Sequence, residues 1–308
     1  MLQYKRKKGK NMEKYIIFSD SASDLTTEMR KEFGIPYLRM GIKVNDKEYH
    51  ADLDFKEFSH EDLYGWPKND NLRITTSLVS SEEIKEQFEP YLKKGIDIIY
   101  IGCTSVLSGT VNFVRIITEE LLEQYPERQI AVLDSNRAGM AQGLLTIDAV
   151  KLQRKGASFD EVVTYVETQK LKYNLCGTLE TLKYLKKFGR VSGAAAFFAD
   201  LVDVKPIIIS DTLGHNYVTE KVRGTKKAYN RLFEIVKDTV DGIEKPVIYI
   251  GQGVAQAATD YFKKRFTEEL NAEVVEYWVG PIIGVACGPG TTHIVCYGKE
   301  VTVTSPKD

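Results

Sequence analysis

The chain has 308 residues, enough for two domains with separate cores, and its 43% apolar and 28% charged content is that of a globular protein. Basic and acidic residues balance (42 against 43, formal net charge −1), which argues against nucleic acid as the main ligand, and no stretch reads as the continuous apolar run of roughly 20 residues that a membrane span needs. Four cysteines without C-x-x-C spacing and four histidines without an H-x-x-x-H pair indicate neither a disulfide framework nor a metal site, and a reducing cytoplasm is the expected compartment.

Residues 1–11 concentrate Lys5, Arg6, Lys7, Lys8 and Lys10 with no apolar stretch after them, so they are expected to form a basic, disordered leader rather than a secretory signal. A strand is expected at 15–19, then Asp20-Ser21-Ala22-Ser23-Asp24 and a helix over 26–33 capped by Ser23 or Asp24. Residues 37–44 and 48–50 read as a hairpin turning at Asn45-Asp46. Residues 55–64 read as a helix stopped by Gly65-Trp66-Pro67, 74–77 as a brief extended piece, and 81–94 as a helix opened by Ser80 or Ser81.

The most informative stretch follows. The β-branched run 96–101 predicts a buried strand, and after Gly109 the apolar residues Val111, Val114, Leu121 and Leu122 recur at helical spacing. Thr104, Ser105, Ser108, Gly109 and Thr110 lie between. A hydroxyl-rich loop entering a helix N-terminus offers free N–H groups, the positive end of the helix dipole and extra donors to an anion, although a lone capping Ser would need no ligand. A strand at 130–133, the loop Asp134-Ser135-Asn136-Arg137 and a helix over 138–154 repeat the pattern. Alternating strands and helices predict a mainly parallel sheet whose carboxyl-end loops would gather Ser21, Thr76, Ser105, Ser108 and Ser135 in one crevice.

Beyond Gly156 the expected elements are a helix at 159–169, a strand at 173–178 and a short helix at 179–185. The small and aromatic run 194–201 comes next, then strands at 205–210 and 215–219 and a helix at 225–240. A strand at 247–251, a helix at 254–266 and strands at 273–279 and 291–297 complete the chain, the last strand being free to join either half. Gly251-Gln252-Gly253 lacks the third glycine of a dinucleotide fingerprint, Gln256 standing there, and reads as a tight turn. No phosphate-loop or G-x-S-x-G pattern occurs, and Ser108 has no base near it in sequence. Lys183, Lys186, Lys187 and Arg190, like Lys221, Arg223, Lys226 and Lys227, read as solvated faces or as a docking surface for an acidic protein.

An ordered set of short motifs resembles the DegV family of two-domain lipid carriers over residues 15–297. The set is Asp20-Ser21 with Asp24, Thr76-Ser77 with Ser80, Ser105 through Ser108-Gly109-Thr110, Asp134-Ser135, Gly189-Arg190-Val191-Ser192, Lys205-Pro206-Ile207, Lys221-Val222-Arg223, and Gly280-Pro281 through Gly288-Pro289-Gly290. The resemblance implies two α/β domains. The first (12–156) would be a Rossmann-like three-layer parallel sheet supplying head-group loops, and the second (157–308) a smaller mixed α/β domain sheltering an acyl chain. It implies a cytoplasmic, non-catalytic carrier of one long-chain fatty acid, with no cofactor, metal, nucleic acid or integral membrane segment, that presents the acid to a separate fatty acid kinase for acyl-phosphate formation. Thr76 and Ser108 would hydrogen-bond the carboxylate, with Ser77 and Gly109 beside them; Arg223 and Arg190 would face the partner, and 194–201 would form tunnel wall or a buried helix. Family members place a histidine where this chain has Ala286. The competing reading is an enzyme acting on a small phosphorylated or carboxylated substrate in the same crevice, which would require a polar pocket with a positioned base.

Overall fold

A computed structural model describes residues 15–192 and 203–306, so the expectations for 1–11 and 194–201 fall outside the described residues. Strand β1 (Tyr15–Asp20) leads through α1 (Thr27–Phe33) to β2 (Tyr37–Leu38). Strands β3 (Gly41–Val44) and β4 (Lys47–His50) and, after α2 (His60–Gly65), β5 (Ile74–Ser77) make a small antiparallel sheet ordered β4-β3-β5. Then come α3 (Ser81–Leu92), β6 (Asp97–Gly102), α4 (Thr110–Gln124), β7 (Ile130–Asp134) and α5 (Met140–Arg154). Strands β2-β1-β6-β7, in that order, form a parallel sheet.

Side-chain alternation makes this sheet the middle of three layers. Phe18, Ile98 and Tyr100 pack with Ile84 and Phe88 of α3 and Val111 and Val114 of α4. Ile17, Ile99 and Ile101 pack on the opposite face with Leu144, Leu145 and Ile147 of α5.

The second half contains α6 (Phe159–Gln169), β8 (Tyr173–Thr178), α7 (Lys183–Lys187), β9 (Val204–Ser210), β10 (Asn216–Arg223) and α8 (Thr225–Thr239). It continues with β11 (Val247–Gly253), α9 (Gln256–Leu270), β12 (Glu273–Trp278), α10 (Pro281–Cys287) and β13 (Thr291–Tyr297). Its strands form a mixed sheet ordered β10-β9-β8-β13-β11-β12, in which β11 and β12 run parallel and the other neighbours antiparallel. The last strand therefore lies inside the second sheet, between β8 and β11. One face, with Ile207, Ile248, Ile250 and Ile294, packs on α8 and α9. The other, with Leu175 and Val295, joins the same core as Ile17 and Leu145.

Local departures from the sequence expectations have local causes. The expected strand 37–44 divides because Ser21 ties both ends of the break, its N–H donating to Leu38 O and its Oγ accepting from Met40 N. Thr26, not Ser23 or Asp24, caps α1. Asp24 instead adopts a left-handed backbone, φ 54°, and points its carboxyl at Gly280. Helix α2 starts later than expected because Ser59 and Asp62 form a reciprocal capping box, and Trp66–Lys68 continues as a 3-10 turn with Pro67 in its first turn. Helix α10 was not anticipated, although Pro281 at its start and Gly288 at its end, φ 76°, are the usual punctuation.

Helix α5 is shared by the two sheets and is buried on most of its circumference. Gly143 sets its distance from the β1–α1 loop: a Cβ there would stand 2.5 Å from Ser23 O, a backbone atom that cannot swing aside. Gly143→Ala gains about 1 kcal/mol of helix propensity, but overpacking costs about 1–3 kcal/mol. The clash wins, so urea unfolding should find the variant less stable than the parent; a stabilised variant would mean that α5 has room to move.

Candidate functional site

Two chambers lie in the seam between the sheets. The outer one, with about 620 Å³ of empty space that runs on into solvent, is bordered by Thr76, Ser77 and Leu78 at the end of β5, Leu107 and Ser108 before α4, Phe188 and Arg190 after α7, and Ile282 and Ala286 on α10, among others. The inner one, with about 420 Å³ that likewise includes open space, is bordered by Ala138, Gly139, Leu175, Leu179, Ile208 and His293 among others. Leu185, Asn216, Ile283 and Cys287 line both, so the chambers are neighbours along one path.

The outer chamber collects the polar groups. Thr76 and Ser77 pair with Ile42 and Gly41 of β3, and a Cβ at Gly41 would meet Ser77 Oγ at 2.2 Å and turn that hydroxyl aside. Ser108 Oγ donates to Thr110 Oγ1 at 3.0 Å and accepts from Thr110 N at 3.3 Å, while Gly109 occupies the N-cap of α4 without a side-chain cap. The helix entrance is thus closed by a hydroxyl and by backbone rather than by a carboxylate. Arg190 is exposed but reaches the chamber, its Nε donating to Leu107 O at 3.3 Å and its Nη1 to Phe188 O. Arg190 O in turn accepts from Asn216 Nδ2 at 3.0 Å, which anchors the segment after α7 to the start of β10. Ala286 faces the same space.

Thr76, Ser77 and Ser108 therefore come together, with Gly109 adjoining Ser108; Ser21, Ser105 and Ser135 do not join them. Ser21 and Ser135 are fully buried and serve the backbone, Ser21 through Met40 N, Ser135 through Arg137 O and N. Ser105 N donates to Asp134 Oδ2 at 3.1 Å, and Ser105 is not among the residues that border the chamber. Asp20 is structural as well: its carboxylate receives Ala22 N, Tyr100 OH, Cys103 N and Gln142 Nε2. Arg223 ends β10 at its far side from Asn216 and borders neither chamber. The wall that sequence reasoning missed is α10, which contributes Ile282, Ile283, Ala286 and Cys287; its Gly-Pro start and Gly-Pro-Gly exit were the available signal.

Among the described residues no group of His, Cys, Asp and Glu side chains is arranged to hold a metal ion, and no helix is long and apolar enough to cross a membrane. Burial raises the Cys103 thiol well above its ordinary value and the Cys287 thiol to about 12, so both stay protonated.

The sequence model described as "Uncharacterised protein, DegV family" matches residues 14–299. A DegV domain-containing protein of Clostridium perfringens is 32% identical over 288 residues, spanning 93% of this chain and 98% of that protein. Among solved structures, a fatty-acid-binding DegV family protein of Thermus thermophilus superposes with a TM-score of 0.83 at 21% identity, covering 93% of this chain and 100% of that one. A stearic-acid-binding protein of Eubacterium ventriosum gives 0.82 at 24% identity, covering 92% and 98%.

Asp24 fixes the missed helix. Its Oδ1 accepts from Gly280 N at 2.9 Å at the start of α10, while its Oδ2 is buried without a partner among the described residues. Burial raises this carboxyl to about 8 against the lowering effect of the Gly280 bond. A carboxyl raised on folding keeps its proton in the native state after the unfolded chain has lost it near pH 4. Its contribution is complete below that value and is lost as pH rises through 8. Asp24→Asn keeps an acceptor for Gly280 without titrating. Its unfolding free energy relative to the parent should rise by about 1.4 kcal/mol per pH unit between pH 5 and 7. Urea titrations at both pH values check this, and a pH-independent difference would mean that native Asp24 is ionised.

Proposed function

The chain belongs to the DegV family, and from that premise we propose that it holds one long-chain fatty acid, carboxylate in the outer chamber and hydrocarbon running into the inner one. The observation that carries the reading is the division of polarity along one path: hydroxyls and a guanidinium at the mouth, a mostly aliphatic lining beyond the shared wall. The fatty-acid and stearic-acid binding of the Thermus and Eubacterium relatives supports it. Each buried methylene is worth about 0.8 kcal/mol, so a chain of roughly 16 carbons gains on the order of 10 kcal/mol before association and ordering costs.

Thr76 and Ser108 donate to the carboxylate in this reading, with the Ser77 hydroxyl and the Gly109 N–H alongside. The Arg190 guanidinium supplies the opposite charge that a carboxylate leaving water requires. Ala286 leaves the head group without the imidazole that the family resemblance implies, so the remaining donors carry more of the binding. The loops of the first half hold the head, and the second half shelters the tail.

The protein presents the acid to a separate fatty acid kinase, which forms the acyl phosphate. Arg223, exposed and outside both chambers, belongs to the partner-facing surface, and Arg190 meets the partner at the mouth. Seven residue steps separate Asn216 from Arg223, about 23 Å of extended strand, so the kinase would contact an area rather than a point. An enzyme in this crevice would need a base or nucleophile. The described lining of the outer chamber has no carboxylate or imidazole, and its thiols are protonated.

Calorimetric titration tests the head-group assignment. Ser108→Ala should weaken fatty-acid binding by about 1–3 kcal/mol while leaving a fatty alcohol of equal length nearly unaffected. Ala286→His should tighten the acid. Equal losses for acid and alcohol in Ser108→Ala would reduce Ser108 to a loop-shaping residue. Arg223→Ala should leave fatty-acid affinity unchanged but slow acyl-phosphate formation with the cognate kinase; a large loss of lipid affinity would place Arg223 at the pocket.

A further inference from the structure

The inner chamber contains a polar group that a saturated chain cannot satisfy. His293 pairs with Gly177 across the β13–β8 ladder. Strand alternation puts its ring on the face of Leu175 and Val295, the face that packs toward α5. The residue is 7% exposed and borders the chamber, and its Nδ1 is buried with no hydrogen-bond partner among the described residues. Gly177 makes room for the ring: a Cβ there would lie 3.2 Å from His293 Cδ2 and 2.4 Å from Thr292 O. Around the imidazole the chamber is lined by the apolar Ala138, Leu175, Leu179, Ile208 and Ile283 and by Thr178 and Asn216, the Thr178 Oγ1 being likewise buried without a partner among the described residues.

Burial lowers the His293 pKa to about 4, so the ring is neutral near pH 7, with no carboxylate beside it among the described residues. A neutral imidazole offers one donor and one acceptor. Methylenes packed over it would leave the buried nitrogen without a partner, as the described residues already do. A carboxylate would be poorly matched, because the ring carries no compensating charge. A hydroxyl donates or accepts and so pairs with either tautomer.

Building on the fatty-acid reading, we propose that His293 recognises an oxygen on the acyl chain, making the inner chamber a subsite for long-chain acids hydroxylated in mid-chain rather than next to the carboxylate. The outer chamber takes the carboxylate as before, and His293 selects among tails.

Competition titrations with stearic, 2-hydroxystearic, 10-hydroxystearic and 12-hydroxystearic acids test this on the full chain. At least one mid-chain hydroxy acid should bind roughly tenfold tighter than stearic acid, the size of one net hydrogen bond, and the 2-hydroxy acid should not. His293→Phe should remove that preference while retaining stearic acid. Independently of any variant, the His293 Nδ1 resonance of the parent protein should move to a hydrogen-bonded position with the preferred hydroxy acid and not with stearic acid. Equal affinities for all four acids in the parent protein, or a preference that survives His293→Phe, overturns the proposal. A tenfold loss of stearic acid itself in a folded His293→Phe would place the carboxylate at His293, overturning the subsite and leaving the fatty-acid reading intact. If none of the four acids binds the parent protein, the fatty-acid reading fails and takes the subsite with it.

Discussion

Helix α5 must satisfy two sheets at once. It covers the face of the parallel sheet carrying Ile17, Ile99 and Ile101, and also meets Leu175 and Val295 of the second sheet. A helix ordinarily buries one stripe and leaves the other to solvent; here Met140 to Val150 are almost continuously buried. The seam between the sheets, and with it the path of the two chambers, depends on this common layer.

Arg137, just ahead of α5, ties the same seam with polar bonds. Its side chain is fully buried, with Nε donating to Lys170 O and Nη1 to Asn136 O, Asp211 O and Ser210 Oγ. Burial lowers its pKa to about 10, so it keeps its charge at neutral pH. The loop after β7 is thereby fastened to the end of β9. Asp24 does comparable work at Gly280, joining the β1–α1 loop to α10. Both contacts link sequence-distant halves beside the chambers, so the walls are held by contacts that do not use the ligand. Thr76, Ser77 and Ser108 border the outer chamber apart from these contacts.

Much of the architecture was legible in the sequence. Alternating apolar runs and amphipathic segments identified β1, β6, β7, α4 and α5, and Ser80 and Ser158 cap α3 and α6 where a helix start was expected. The site was legible in part. Thr76, Ser77 and Ser108 line one chamber, but Ser21, Ser105 and Ser135 share their chemistry and not their placement. A serine that accepts a backbone N–H in a tight turn has the same local composition as one that faces a ligand; long-range pairing decides which it becomes. Helix α10 escaped notice because seven residues between Gly280 and Gly288 give too short a period to detect. His293 lies in the strand expected at 291–297. Its unpaired nitrogen becomes visible only when β8 and β13 are laid side by side.

The central claim is that the outer and inner chambers together hold one fatty acid. Denaturing extraction of the purified protein followed by mass spectrometry tests it most directly, since a long chain in a largely apolar path should leave slowly and survive purification. The account predicts close to one long-chain acid per polypeptide without any being added. Protein that yields no stoichiometric acid and binds none when acids are offered would contradict it.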